Sequence, residues 1–113
     1  MMKPEISFEN FLSLSIHTGT IVKAELFPKA KNPSYKIWVD FGDLGMKQTS
    51  AQVTIRYQIE ELVGMQILGL LNIPPRNIAG FISEFLLLGL EDENGSIVLV
   101  QPQYSVPNGA LLK

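Results

Sequence analysis

The side chains able to do chemistry are few, and they cluster. The chain has two arginines, Arg56 and Arg76. Arg76 lies in the run Asn72-Ile73-Pro74-Pro75-Arg76-Asn77-Ile78-Ala79-Gly80-Phe81-Ile82-Ser83-Glu84, between two apolar runs that read as buried strands. The adjacent prolines fix φ and remove two backbone donors, and Pro74 pushes Ile73 into an extended conformation. The stretch is therefore expected to be a stiff elbow. An elbow carrying Asn72 and Arg76 at a sheet end suits a phosphate or a base. The alternative is a rigid corner with a solvated arginine.

Catalytic chemistry finds little support. The only histidine, His17, falls in an apparent strand, so no Ser–His–Asp set assembles around it. The chain has no cysteine, which excludes thiol catalysis, disulfides and cysteine-ligated zinc. It has neither a Walker-type lysine loop nor a dinucleotide glycine fingerprint. Glu60 and Glu61 read as a solvated pair on a short helix, and Glu91, Asp92 and Glu93 as an acidic hairpin tip too short for a calcium loop. No catalytic residue, metal site or cofactor is expected.

With 113 residues the chain is expected to form one domain, 1–113, with a single small core. No apolar run approaches the ~20 residues of a membrane helix, and no signal-like segment opens the chain. A cytoplasmic protein without membrane insertion is expected. The formal net charge of −2 does not advertise nucleic-acid binding. Yet seven of the nine basic residues lie between Lys23 and Arg76, while six of the acids lie outside that window. A basic face on an acidic protein is one reading; scattered solvated charge is the other.

The elements that must position these groups read as an all-β chain with short helices. Ser7 can cap a helix in which Phe8, Phe11 and Leu12 share one face. So short a helix must dock, on its own barrel or on a partner. Ile16–Phe27 reads as a long strand with a bulge or bend at Gly19. Tyr35–Phe41 alternates cleanly, with Tyr35, Ile37, Val39 and Phe41 toward the core and Lys36, Trp38 and Asp40 outward. Trp38 is then either a stacking platform or a contact, with another subunit or under the tail. Alternation fails over Met46–Val53, which marks a candidate surface or a bulged edge strand. Ile59–Val63 reads as one helical turn ended by Gly64, followed by strands at Met65–Leu71 and Phe85–Leu90. Asn94-Gly95 predicts a two-residue hairpin to Ile97–Val100. Ala110, Leu111 and Leu112 are too apolar for a free tail. The order fits a five-stranded OB-fold Greek-key barrel with N- and C-terminal extensions; an SH3-like barrel is the competitor.

Several stretches carry a resemblance. Ile16-His17-Thr18-Gly19-Thr20-Ile21-Val22, Val39-Asp40-Phe41-Gly42, Lys47-Gln48-Thr49-Ser50-Ala51-Gln52, Glu61-Leu62-Val63-Gly64 and the Asn72–Glu84 run occur in one order. Together they resemble the tRNA-binding domain appended to some methionyl- and phenylalanyl-tRNA synthetases. The Ser-Ala-Gln triplet, the Pro-Pro-Arg elbow and Val106-Pro107-Asn108-Gly109 look most like a stand-alone branch of that family. The resemblance implies an OB-fold, a homodimer built with the terminal extensions, binding of tRNA or tRNA-like RNA without sequence readout, and a chaperone role toward unfolded export clients and the export machinery. It implies RNA contacts at Lys36, Lys47, Ser50, Gln52, Asn72, Arg76 and Ser83. Two departures stand out: His17 replaces a usual arginine, and Glu84-Phe85 replaces a Gly-Met pair.

Two function classes follow. One is an RNA-binding module, favoured by Lys47, Asn72 and Arg76. The other is a protein-binding chaperone with no physiological RNA ligand, favoured by the abundance of Leu, Ile and Phe and by the negative charge. The apolar material at both ends predicts a homodimer interface of Phe8, Phe11, Leu12, Leu111 and Leu112.

Overall fold

The computed structural model describes residues Met1–Lys113. In chain order its elements are α1 (Phe8–Leu12), β1 (Ile16–Leu26), β2 (Tyr35–Asp40), β3 (Met46–Ala51), α2 (Ile59–Leu62), β4 (Gln66–Leu70), β5 (Arg76–Ile78), β6 (Phe81–Ser83), β7 (Leu86–Leu87), β8 (Gly89–Glu91) and β9 (Ile97–Leu99). Five strands form an antiparallel sheet in the order β3-β2-β1-β4-β7. β5–β6 and β8–β9 are separate hairpins. The sheet curls until β3 meets the segment before β7. There the Glu84 amide donates to the Gln48 carbonyl at 2.8 Å, and the Glu84 carboxylate accepts from the Gln48 amide at 2.9 Å. This nearly closed barrel, with α2 between β3 and β4, is the OB-fold arrangement.

β2 behaves as its alternation requires. Tyr35, Ile37, Val39 and Phe41 are buried, and Lys36, Trp38 and Asp40 lie on the outer face, partly exposed. Phe41 and Phe85 meet edge to face at 5.0 Å in the core. Gly19 and Gly69 make room for them. A Cβ on Gly19 would stand 2.7 Å from the Phe41 ring, and one on Gly69 would stand 2.8 Å from that of Phe85. So Gly19 is a packing glycine and not the expected bulge. The register break in β1 falls between Ile21 and Lys23 instead.

The C-terminal tail docks on β1, while the α1–β1 connection is tied to Asn72, just after β4. Ser7 caps α1, its hydroxyl accepting from the Asn10 amide. The tail runs beside the start of β1: Gly109 donates to the Thr18 carbonyl, Thr18 to Ala110, and Leu112 to Ile16, at 2.7, 3.0 and 2.8 Å. The Thr18 hydroxyl donates to the Pro107 carbonyl, and the Thr20 hydroxyl to the Asn108 side chain. His17 belongs to the same clamp: Nδ1 lies 2.9 Å from the Gly109 carbonyl and Nε2 3.1 Å from the Ser15 hydroxyl.

Three local expectations are corrected. The strand expected over Phe85–Leu90 is two pieces, because the chain changes partners at Leu88: β7 pairs with β4, and β8 with β9. The Asn94-Gly95 loop has three residues, since Asp92 and Ser96 close it by a backbone bond of 2.8 Å and Gly95 takes φ 80°. The elbow after Pro75 becomes the β5–β6 hairpin. Its turn residues Ala79 and Gly80 both have positive φ, 50° and 88°, the twist that a two-residue hairpin needs.

Candidate nucleic-acid interface

The β5–β6 hairpin lies across the outer face of β2. Phe81 packs edge-on against Phe27 at 5.5 Å and against Trp38 at 5.9 Å. Lys23 covers Trp38 from 4.7 Å, and the indole N–H donates to Gln48. Trp38 thus packs against Phe81 and beneath Lys23, away from the tail, which runs along β1. Its burial is supplied by Phe81 and Lys23.

A groove of about 520 Å³ opens on one flank of this hairpin. Leu86, Leu87 and Ile97 line its apolar floor, with Ser50, Gln52 and Arg76 among its polar residues. Lys31 and Asn32, from the β1–β2 loop, complete its rim. No carboxylate lines it. Arg76 is exposed and forms no ion pair, whereas the other arginine, Arg56, is held by Asp92 at 3.0 Å. Lys36, opposite Ser50 in the β2–β3 register, reaches the other flank, with Nζ 5.0 Å from the Phe27 ring and 5.2 Å from that of Phe81.

The structure thus gathers Ser50, Gln52 and Arg76 in one groove, with Lys36 across the hairpin. It does not bring the other expected contacts to them. Lys47 pairs with Val39 in register and shares its face of β3 with buried Thr49, opposite to that of Ser50, and it lines neither flank. Asn72 is a brace: its side-chain oxygen accepts from the Ser15 amide at 2.9 Å, and its NH₂ donates to the Ser13 carbonyl at 2.7 Å. Ser83 is 3 % exposed, and its hydroxyl meets that of Thr49 at 2.8 Å, while Thr49 donates to the Phe85 carbonyl. A hydroxyl so enclosed joins β6 to the barrel and is not open to a ligand. Sequence reading missed Lys31 and Asn32, because a polar loop with prolines at both ends carries no sign of what it will face.

The apolar ends remain open. Phe8, Leu12, Leu111 and Leu112 are exposed, and Phe11 is partly buried and stacks on Phe8 at 6.0 Å.

Barrel, hairpin and acid-free groove define an OB-fold of the nucleic-acid-binding kind. The chain belongs to the family described as "Putative tRNA binding domain", whose sequence model matches residues 16–111. It is similar over 97% of its length to the chaperone CsaA of Bacillus anthracis, with 46% identity, a TM-score of 0.92 and all of that chain covered. CsaA of Picrophilus torridus matches 96% of this chain and all of its own at 36% identity and a TM-score of 0.89. The methionine–tRNA ligase of Porphyromonas gingivalis is 37% identical over 109 residues, which are 96% of this chain. The chain spans only 16% of that ligase's length.

Proposed function

We propose that this chain is a CsaA-type, non-catalytic module that binds tRNA or tRNA-like RNA by its shape and backbone. The observation that carries this is the groove rimmed by Arg76, Lys31, Ser50 and Gln52 with no acid among its lining residues, on a protein of net charge −2. Guanidinium, hydroxyl and amide groups suit phosphate and sugar oxygens. Sequence-tolerant binding of single strands usually rests on bare aromatic faces. Here Phe27, Phe81 and Trp38 pack on one another and beneath lysines, which favours a structured RNA over a flexible single strand. The test is a gel-shift titration with total tRNA at two salt concentrations. A complex that weakens steeply with salt is expected; no complex at the lower salt overturns the reading.

The exposed Phe8, Leu12, Leu111 and Leu112 favour a second property, a homodimer joined through the terminal extensions. Sedimentation equilibrium at micromolar concentration should give twice the chain mass, and a monomer there removes the dimer. The likeness to proteins described as chaperones adds unfolded export clients as candidate partners of an apolar surface separate from the groove. Arg76→Ala should then weaken tRNA binding and keep suppression of client aggregation in a light-scattering assay. No helix is long and apolar enough to cross a membrane; a cytoplasmic location is part of the same proposal.

A further inference from the structure

The β5–β6 hairpin has a second flank. Behind its turn lies a cavity of about 330 Å³ lined by Phe27, Lys29, Lys36, Phe81 and the Ala79-Gly80 turn, with Pro28. No carboxylate lines it. Neither Lys29 nor Lys36 forms an ion pair. Glu25 stands opposite Lys36 in the β1–β2 register, but its carboxylate is bound to Lys23 at 3.0 Å. The Phe27 and Phe81 rings hold the Lys36 ammonium in place without neutralising it. Lys29 is exposed.

We propose that this cavity is a second phosphate subsite, so that one RNA strand runs along the hairpin with its backbone held on both flanks. The inference rests on the RNA-binding reading above and extends it to Lys29 and to a path. The geometry favours a phosphate over a base. Phe27 is 4 % exposed, and the Lys36 ammonium already sits over both the Phe27 and the Phe81 ring. The available groups are two ammonium ions. Arg76 begins β5, and the Ala79-Gly80 turn ends the hairpin beside the second cavity. At ~3.3 Å per extended residue the hairpin is ~10 Å long.

The experiment is a tRNA titration over a salt series, with the full chain as wild type, Lys29→Gln, Lys36→Gln, the double variant and Lys3→Gln. Each single change at the cavity should weaken binding several-fold and flatten the log-affinity versus log-salt slope by about 0.7–0.9. The double variant should lose about twice that slope, and Lys3→Gln none. Lys36→Arg, which keeps charge over the rings, should retain the wild-type slope. Melting curves identify any variant that fails to fold. If Lys36→Gln unfolds, Lys29→Gln alone decides. A folded cavity variant with wild-type affinity and slope overturns the second subsite while tRNA binding by the wild type stands. Absence of any wild-type complex overturns both.

Discussion

The molecule carries two small hairpins that differ in what their charges are for. β5–β6 and β8–β9 each pair three residues with three. The tip of β8–β9 is acidic, and its main charge is already used. The Asp92 carboxylate accepts from the Asn94 and Ser96 amides at 2.9 and 3.0 Å and holds Arg56. Around β5–β6 four cations are unspent: Arg76, Lys29, Lys31 and Lys36 have no ionic partner, while the acid that follows β6, Glu84, is engaged by the Gln48 amide. A net charge of −2 therefore hides a local separation of sign. The difference teaches that the bulk number is a poor guide to binding here. What counts is which charges the fold leaves unpaired.

Putting an acid into the cationic hairpin should break the comparison most strongly. Arg76→Glu would give the groove its first carboxylate. A hydrogen bond to a charged group contributes about 1.5–3 kcal/mol, so tRNA affinity should fall at least about tenfold. The melting temperature should barely move, because Arg76 is exposed and unpartnered. Filter binding beside a thermal melt checks both. Unchanged affinity would remove Arg76 from the interface.

The next test separates bracing from binding within one stretch. Asn72 and Arg76 look equivalent in sequence, both polar and both beside the prolines. Asn72→Ala deletes two hydrogen bonds that tie the α1–β1 connection to the end of β4. It should cost about 1–2 kcal/mol in urea unfolding, against within about 0.5 kcal/mol for Arg76→Ala. In the folded fraction the effects on tRNA should reverse, with Arg76→Ala the more damaging. If Asn72→Ala proves neutral for stability and weakens binding, Asn72 belongs to the interface after all.

These cases mark how far the sequence could be read. The β2 alternation placed its core residues because six consecutive extended residues are enough for period two to appear. The helix cap at Ser7 and the turn at Gly64 were legible because each rests on local chemistry. The hairpins were less so. A strand of three residues shows no period, and the β5–β6 turn uses Ala79 in place of the Asn or Asp that signals positive φ. Ser83 and Lys47 were misplaced for a related reason. Which face of β3 and β6 is enclosed depends on the closure at Gln48 and Glu84, a contact between residues far apart in the chain. The barrel itself was legible through the order of elements; the groove depended on how the fold sets the 28–33 loop and β7 around one opening.

The smallest effect concerns the acidic hairpin and sharpens the contrast from the other side. Amides of Ser96 and then Asn94 hold the Asp92 carboxyl below its usual 3.8; burial opposes them, and Arg56 adds lesser lowering contributions. A carboxylate depressed by folding contributes stability that is fully present above its unfolded value. That contribution is lost as pH falls through the folded one. The window is therefore below about pH 4, and nothing should change between pH 6 and 8 from this group. Asp92→Asn keeps a side-chain oxygen for the two amides but removes the charge. Urea unfolding of wild type and variant should differ by a constant amount near neutrality, and the gap should close as pH falls below about 4. Because Arg56 is bound here, Arg56→Ala should leave the salt dependence of tRNA binding as it was, unlike Arg76→Ala. A flattened salt slope in Arg56→Ala would mean that the RNA reaches this hairpin too, and the division between a hairpin that binds and a hairpin that braces itself would fail.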